Sequence, residues 1–360
     1  MHQNHDNHRE GKLLQGDYAG PFAAAPGSAR QREAAMGHGR RTINPPVDSG
    51  LETTCASPLW SFVILLLFIV ACPAAAQPAD SLQAKEKPRL WEVRATQRYR
   101  TTSGFADRSG SLAWHESTVG ISGGLFLRGP GLLRAGADYT HARFAFAPDA
   151  RLGPSGPEPF RHVREVRLSA QLLTPWSEAW STLALATIVS AFEIGAAPDD
   201  ALSGVAVLGV MRRLSGRLST GFGALLLKPL GAQTAVALPL VLVDWQITDR
   251  LALRSRQDIT LTYLLDPRRR FSVAAVGAFF GRKQFRLGKK GNIPDGVAEI
   301  RGIEVGGRVI WEPFPALVVQ GALEAVLRQN LRLEDRARRG IVDVALESAL
   351  RLSLVARYRF

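Results

Sequence analysis

The chain has 360 residues, with 45 Lys and Arg against 32 Asp and Glu and a formal net charge of +13. Its mean hydropathy of −0.01 excludes a bundle of transmembrane helices. The basic residues are scattered at alternating positions and in short clusters rather than along one helix face, which argues against nucleic acid as a partner.

Residues 1–58 are rich in His, Gly, Arg, Pro and Ala without a sustained period, and read as a disordered or mis-assigned extension. Met36, followed by Arg40 and Arg41, would make an alternative start with a basic leader. Leu59 to Ala71 is an apolar run of signal-peptide length, shorter than the roughly 20 residues that a spanning helix needs. Ala74 and Ala76 then supply a small-x-small cleavage site, so 59–76 is expected to be a signal peptide. Ile69-Val70-Ala71-Cys72 offers a competing lipidation site at Cys72. Residues 77–88 read as a periplasmic lead-in. Cys55 and Cys72 are the two cysteines, so the segment beyond them has no disulfide and no cysteine metal site.

From residue 89 the sequence alternates with period two. Trp91, Val93, Ala95 and Tyr99 interleave with Glu92, Arg94, Arg98 and Arg100. A second run carries Val119, Ile121, Leu125 and Leu127, and a third spans 132–146. In the next, Val166, Leu168, Ala170 and Leu172 oppose Glu165, Arg167, Ser169 and Gln171. Further runs are expected at 181–193, 203–212, 217–228, 234–247 and 251–264. Phe271–Phe280 is expected to turn at Gly281-Arg282 and return through Lys283–Lys289, and 299–312 and 316–331 follow. The last run places Leu350, Leu352, Leu354, Ala356, Tyr358 and Phe360 on one face, with Arg351, Ser353, Arg357 and Arg359 on the other.

Short links at 129–131, 214–216, 248–250 and 312–315 alternate with longer polar ones at 148–161, 194–202, 265–270 and 332–340. Residues 89–360 are therefore expected to form one all-β domain, a transmembrane antiparallel up-and-down β-barrel of 12–14 strands. Trp91, Trp176, Trp180, Trp245 and Trp311 fall near strand ends, where an interfacial aromatic girdle belongs.

The terminal alternation ending on Tyr358 and Phe360 resembles the C-terminal strand signature of bacterial outer-membrane β-barrels. That resemblance implies the outer membrane of a Gram-negative bacterium, reached by a cleaved signal peptide, and recognition by the barrel-assembly machinery. Pro239 through Leu251 (PLVLVDWQITDRL), Phe285-Arg286-Leu287, Pro294-Asp295-Gly296 and Arg359-Phe360 resemble an uncharacterised family of such barrels, which implies the fold but no activity.

The lumen-facing parity collects Arg94, Arg98, Arg100, Arg167, Arg254, Arg256, Arg308, Arg328, Arg351, Arg357 and Arg359. Against them stand Glu92, Glu165, Asp258, Glu304, Glu324 and Glu347. A wet, positive interior would favour anions, whereas paired charges would instead fill a closed lumen and fix register. Arg-rich loops at 267–270 and 336–339, with Lys289-Lys290, are candidate contacts for lipopolysaccharide phosphates. His115-Glu116-Ser117 is similar to the His–Ser pair of outer-membrane phospholipase and lipid A deacylase barrels, which implies a His base and a Ser nucleophile. The Asn-Gly that follows the serine in the phospholipase pattern is replaced by Thr118-Val119, and no third residue completes a site.

The sequence thus points to a non-enzymatic barrel, either a narrow channel for small, including anionic, solutes or a structural protein. A lipid esterase centred on His115 and Ser117 is the alternative. No metal and no cofactor is expected. Outer-membrane lipids and lipopolysaccharide are the expected partners, and the sequence leaves the oligomeric state open.

Overall fold

The computed structural model describes residues 91–360, apart from 128–130, 151, 153–155, 157, 257 and 269. The extension, the signal peptide with Ala74 and Ala76, and the lead-in at 77–88 lie outside the described residues.

Alternating sequence gives strands because a pleated backbone can satisfy lipid on one face and water on the other. The first eight are β1 (Trp91–Gly104), β2 (Ser111–Phe126), β3 (Leu132–Phe146), β4 (His162–Pro175), β5 (Trp180–Glu193), β6 (Leu202–Arg213), β7 (Leu218–Lys228) and β8 (Val236–Gln246). Two short strands follow, β9 (Leu251–Ser255) and β10 (Ile259–Leu264), then the long β11 (Phe271–Arg286), β12 (Val297–Phe314) and β13 (Leu317–Glu334). β14 (Gly340–Leu346) and β15 (Ala349–Arg359) both pair with β13 and form one stave, interrupted at Glu347 and Ser348. Each strand pairs antiparallel with its neighbours, and β1 pairs with β15, so the sheet closes into a 14-stranded barrel.

The count agrees with the upper expectation, but two of its parts come from different places. The run 251–264 is not one strand. It turns at Arg256 and Asp258 into a hairpin, with Leu253 opposite Leu261. Nor does the chain reverse at Gly281-Arg282. There a bulge between Ala278 and Gly281 lets β11 continue along β12 as far as Arg286. Gly281 and Arg282 resembled a turn, yet continued pairing satisfies the backbone more fully than a reversal would.

The end that holds Trp91 and Phe360 is closed by reciprocal backbone bonds, Phe360 N–H to Trp91 O at 2.9 Å and Trp91 N–H to Phe360 O at 3.3 Å. Trp176, Trp180, Trp245 and Trp311 lie at this same end and are exposed outward, and Trp311 stacks on Phe271 with centroids 6.0 Å apart. Beyond them the outer face is aliphatic, with Val119, Ile121, Leu125, Leu168, Ile188, Leu208, Phe222, Val241, Val309, Leu323 and Leu352 all exposed. Such a surface would aggregate in water, whereas a hydrocarbon layer between aromatic girdles accommodates it. On β2–β4 the belt ends where Val119, Tyr139 and Val166 give way to Ser117, His141 and Arg164, one residue pair further along the ladder.

At the far end the interior is packed shut. Phe144 of β3 and Phe285 of β11 come from opposite walls, with ring centroids 5.5 Å apart, and Phe160 stands edge-on to both at 5.0 and 4.8 Å. Leu112, Val163, Ile300, Leu331, Leu333 and Val344 join them in one buried cluster. Phe160, Leu152 and Ala150 belong to the loop between β3 and β4, so part of 148–161 folds inward. Sulfur-free aromatic and aliphatic packing of this kind behaves as a dry core. It is a cork made of wall side chains and of the inward-folded loop between β3 and β4.

The loops at 287–296 and 335–339 lie at the far end, as expected. The link at 265–270 does not. It joins β10 to β11 at the tryptophan end, so Arg268 and Arg270 cannot act together with Lys289, Lys290 and Arg336.

An arginine-lined lumen as the candidate functional site

Beneath the cork the barrel encloses a cavity of about 1000 Å³. Thirteen Arg and Lys residues line it against six Asp and Glu. Nine of the predicted arginines are among them: Arg94, Arg98, Arg100, Arg167, Arg256, Arg308, Arg328, Arg351 and Arg357. Arg254 and Arg359 lie outside the lining, bonded to Asp244 at 3.5 Å and Glu92 at 3.4 Å.

Most of these cations are held by carboxylates of the lumen wall. Arg94 meets Asp138 at 2.6 Å, Arg167 meets Glu165 at 2.7 Å, and Arg256 lies 3.8 Å from Asp244. Arg351 binds both Glu304 and Glu324, and Arg308 reaches the second of these at 3.2 Å and Asp258 at 3.9 Å. Arg98 shares Glu116 with Lys283, the first at 3.6 Å. The pairs of Arg94, Arg308 and Arg351 join adjacent or next-but-one strands and so fix the register of β1, β12, β13 and β15, whereas Lys283 and Glu116 meet across the lumen. Glu347 caps the interruption in the last stave, where its backbone N–H donates to Gly104 O at 2.9 Å and its carbonyl accepts from Ser103 Oγ at 2.5 Å.

Sequence reasoning missed Glu116, Asp138, Arg282, Lys283, Glu299 and Arg301. Glu116 and Asp138 sit on the inward parity of β2 and β3 and could have been read from the alternation. Arg282 and Lys283 were hidden by the false turn at 281–282. In the structure Arg282 lies 2.6 Å from Glu299, which also holds Arg301 and accepts from Gln284 at 2.7 Å.

Among the described residues, three lining arginines have no carboxylate partner. Arg357 donates to Gln320 at 2.8 Å. Arg328 sits at a β-bulge with φ of 47°, a conformation that side-chain-bearing residues rarely adopt, and borders the cavity. Arg100 is 1 % exposed, and none of its three side-chain nitrogens has a hydrogen-bond partner. Its guanidinium carbon lies 3.9 Å from the centre of the Trp114 ring. A desolvated cation on an indole gains about 2 kcal/mol, well short of the several kcal/mol that burying the charge costs.

The wall is not charged all round. On β5 to β8 most inward positions are apolar, among them Leu183, Val189, Val205, Val207, Met211, Leu225, Leu227, Leu240 and Leu242, with Thr187 and Ser203 between them and Lys228 at the end of β7. The lumen has a cationic sector on β1–β4 and β11–β15, and an apolar sector on β5–β8.

His115 and Ser117 lie on the outward parity of β2, as expected. Ser117 Oγ donates to Gln97 Oε1 at 2.8 Å and stands opposite His141 in the ladder. His141 stacks on His162 with centroids 5.6 Å apart. These groups form a polar row at the edge of the apolar belt, and among the described residues no hydrogen bond joins Ser117 to an imidazole. No group of three His, Cys, Asp or Glu that could hold a metal occurs among the described residues.

No family profile and no curated protein sequence matches the chain. Among solved structures it is similar to an outer membrane channel from Pseudomonas putida F1, at 10 % identity and a TM-score of 0.44 over 78 % of this chain and all of that one. The KdgM porin, solved with disordered oligogalacturonate, gives 8 % identity and 0.33 over 74 % of this chain and 99 % of that one. The Pseudomonas putida toluene transporter TodX gives 10 % and 0.33 over 76 % and 90 %. All are barrels of bacterial outer membranes. Likenesses this distant carry no argument about what this barrel handles.

Proposed function

We propose that this chain is a non-enzymatic outer-membrane barrel of a Gram-negative bacterium that admits a small anionic solute into its lumen and passes it under the control of the apolar cork. The observation that carries this reading is Arg100, buried beneath the cork with its nitrogens unpartnered while its neighbours are neutralised. A carboxylate or phosphate arriving from the lumen would complete its hydrogen bonds, and the surrounding excess of cations would raise the local concentration of such ions. Phe285 and Phe144 then stand between the filled site and the far side.

Planar-bilayer recordings across a salt gradient test it. The wild type is expected to give brief, small, anion-selective openings, and Phe285→Ala longer and larger ones. Silence or cation selectivity from both would overturn the reading. Arg100→Gln should move the reversal potential toward that of a non-selective pore.

The esterase reading gains no support from Ser117, whose hydroxyl is engaged with Gln97. Phospholipid hydrolysis by the purified barrel that disappears in Ser117→Ala would restore it. Far-end Lys289, Lys290, Arg336 and Arg339 are proposed contacts for lipopolysaccharide phosphates. Tyr358 and Phe360 are the proposed mark for the assembly machinery.

A further inference from the structure

The barrel wall is not continuous at every height. β8 pairs with β9 only from Val243 to Gln246, because β9 ends at Ser255. β10 covers β11 only from Ser272 to Gly277. Above the Arg256–Asp258 turn, Val236–Leu242 of β8 has a partner in β7 alone, and Ala278–Phe285 of β11 has one in β12 alone. The gap is roofed. Gln284 Oε1 accepts from Leu230 N–H at 3.0 Å, and Arg286 pairs with Phe192 of β5 and donates to Asp200 O at 2.9 Å. The result is a window framed on four sides, and Pro239, a residue that cannot donate to a ladder, occupies its β8 margin.

The window opens at the depth of the hydrocarbon. Val241 of its margin and Phe222 beside it are exposed on the outer face. Open sheet edges at that depth are tolerated only where they line a cavity, since lipid satisfies no backbone hydrogen bond. Behind it lies the lumen, for Leu240, Ala278 and Arg256 border both. Immediately inside is the apolar sector, with Leu225 and Leu227, and across the cavity stand the unpaired arginines. The axial route at the far end is blocked by Phe144, Phe160 and Phe285.

We infer that this window is a lateral portal between the membrane and the lumen, and that its occupant is a single-chain anionic amphiphile dissolved in the bilayer. The inference rests on the lumen being an anion site, and it names the class of anion. An alkyl chain would lie along Leu225, Leu227 and Leu240, where it loses no contact with apolar surface on leaving the lipid. The acidic head would reach Arg100 or Arg357 without crossing the cork.

Photolabelling of the full-length barrel in liposomes tests this, with a straight-chain alkyl carboxylate bearing a terminal diazirine as the probe. Labels are expected on Leu225, Leu227 and Leu240, displaced by unlabelled alkyl carboxylate. Ala278→Trp and, independently, Leu240→Trp should each lower labelling of Leu225 and Leu227 by about tenfold, a cost of about 1.4 kcal/mol in binding. Outward Val241 and Phe222 should label as before, which also shows that the variants fold. Inner labelling indifferent to both substitutions, or labels confined to Val241 and Phe222, would overturn the portal. Equal inner labelling by the matching alkyl alcohol would overturn the anionic head. Bilayer recordings separate the two ideas: anion-selective openings with failed labelling remove the portal alone, whereas silence with Phe285→Ala removes the channel reading whatever the labels show.

Discussion

The cationic and apolar sectors of the lumen are built on the same backbone plan but hold together by different physics. In the first, β1, β12, β13 and β15 are tied by ion pairs such as Arg351 with Glu304 and Glu324, so each side chain depends on a partner of opposite charge. In the second, Leu183, Met211 and Leu242 interlock by shape, and no member depends on one particular neighbour. Charge pairing specifies register, whereas aliphatic packing tolerates exchange and leaves a smooth wall. A single barrel thus presents two solvents to whatever enters it.

The strongest way to break the comparison is to remove one partner on the charged side. Glu324→Ala leaves Arg351 and Arg308 under-compensated in a site where Glu324 is 3 % exposed, and should cost about 3–5 kcal/mol in urea unfolding from bilayers. Replacing Glu324 and Arg351 together by Leu should recover most of that loss, because the uncompensated charge leaves with its partner. On the apolar side Leu242→Ala should cost about 2–4 kcal/mol by the same measurement, through a cavity against Leu183 and Met211. Leu242→Met should be nearly silent, whereas no comparably mild substitution exists at Glu324. If the double replacement is as damaging as Glu324→Ala alone, the pairs do not organise that sector.

The smallest expected effect lies outside the membrane and calibrates the others. Asp335, in the loop between β13 and β14, is held below the usual carboxylate range, first by the Arg339 backbone N–H and then by the Arg339 side chain. A folded-state value below the unfolded one means that the folded loop binds fewer protons between the two. Its stabilising contribution is complete above the unfolded value and is lost as pH falls through the folded one. Hydrogen exchange in 335–339 should therefore quicken on acidification through the carboxylate range, and Asp335→Asn should remove that pH dependence. An unchanged profile in the variant would assign it to another group.

Much of the architecture was legible because period-two alternation is the direct consequence of lipid on one side and water on the other. Arg94, Arg167, Arg308 and Arg351 could be assigned to the lumen without coordinates. The hairpin at 251–264 was not legible, since Arg254, Arg256 and Asp258 keep the same parity through the turn and conceal it. The reverse error at 281–282 arose because Gly followed by Arg resembles a turn but here accompanies a bulge. The cork escaped notice for a different reason. Phe144, Phe160 and Phe285 come from separate runs, and only closure of the barrel brings them together. Pro239 was the one local hint of the window, a non-donor in the middle of a run that a continuous wall would pair on both sides.

The seam between β1 and β15 has a consequence for how the molecule comes to exist. Its register, Glu92 with Arg359 through Arg100 with Arg351, joins the first and last described strands. Every other neighbouring pair is close in sequence and can zip as a hairpin, so the seam carries the largest single loop-closure cost and should form last. Until it does, β1 and β15 present two bare edges able to accept strands from other chains. The cationic lumen and the lateral window come into being together, at the moment this one ladder closes.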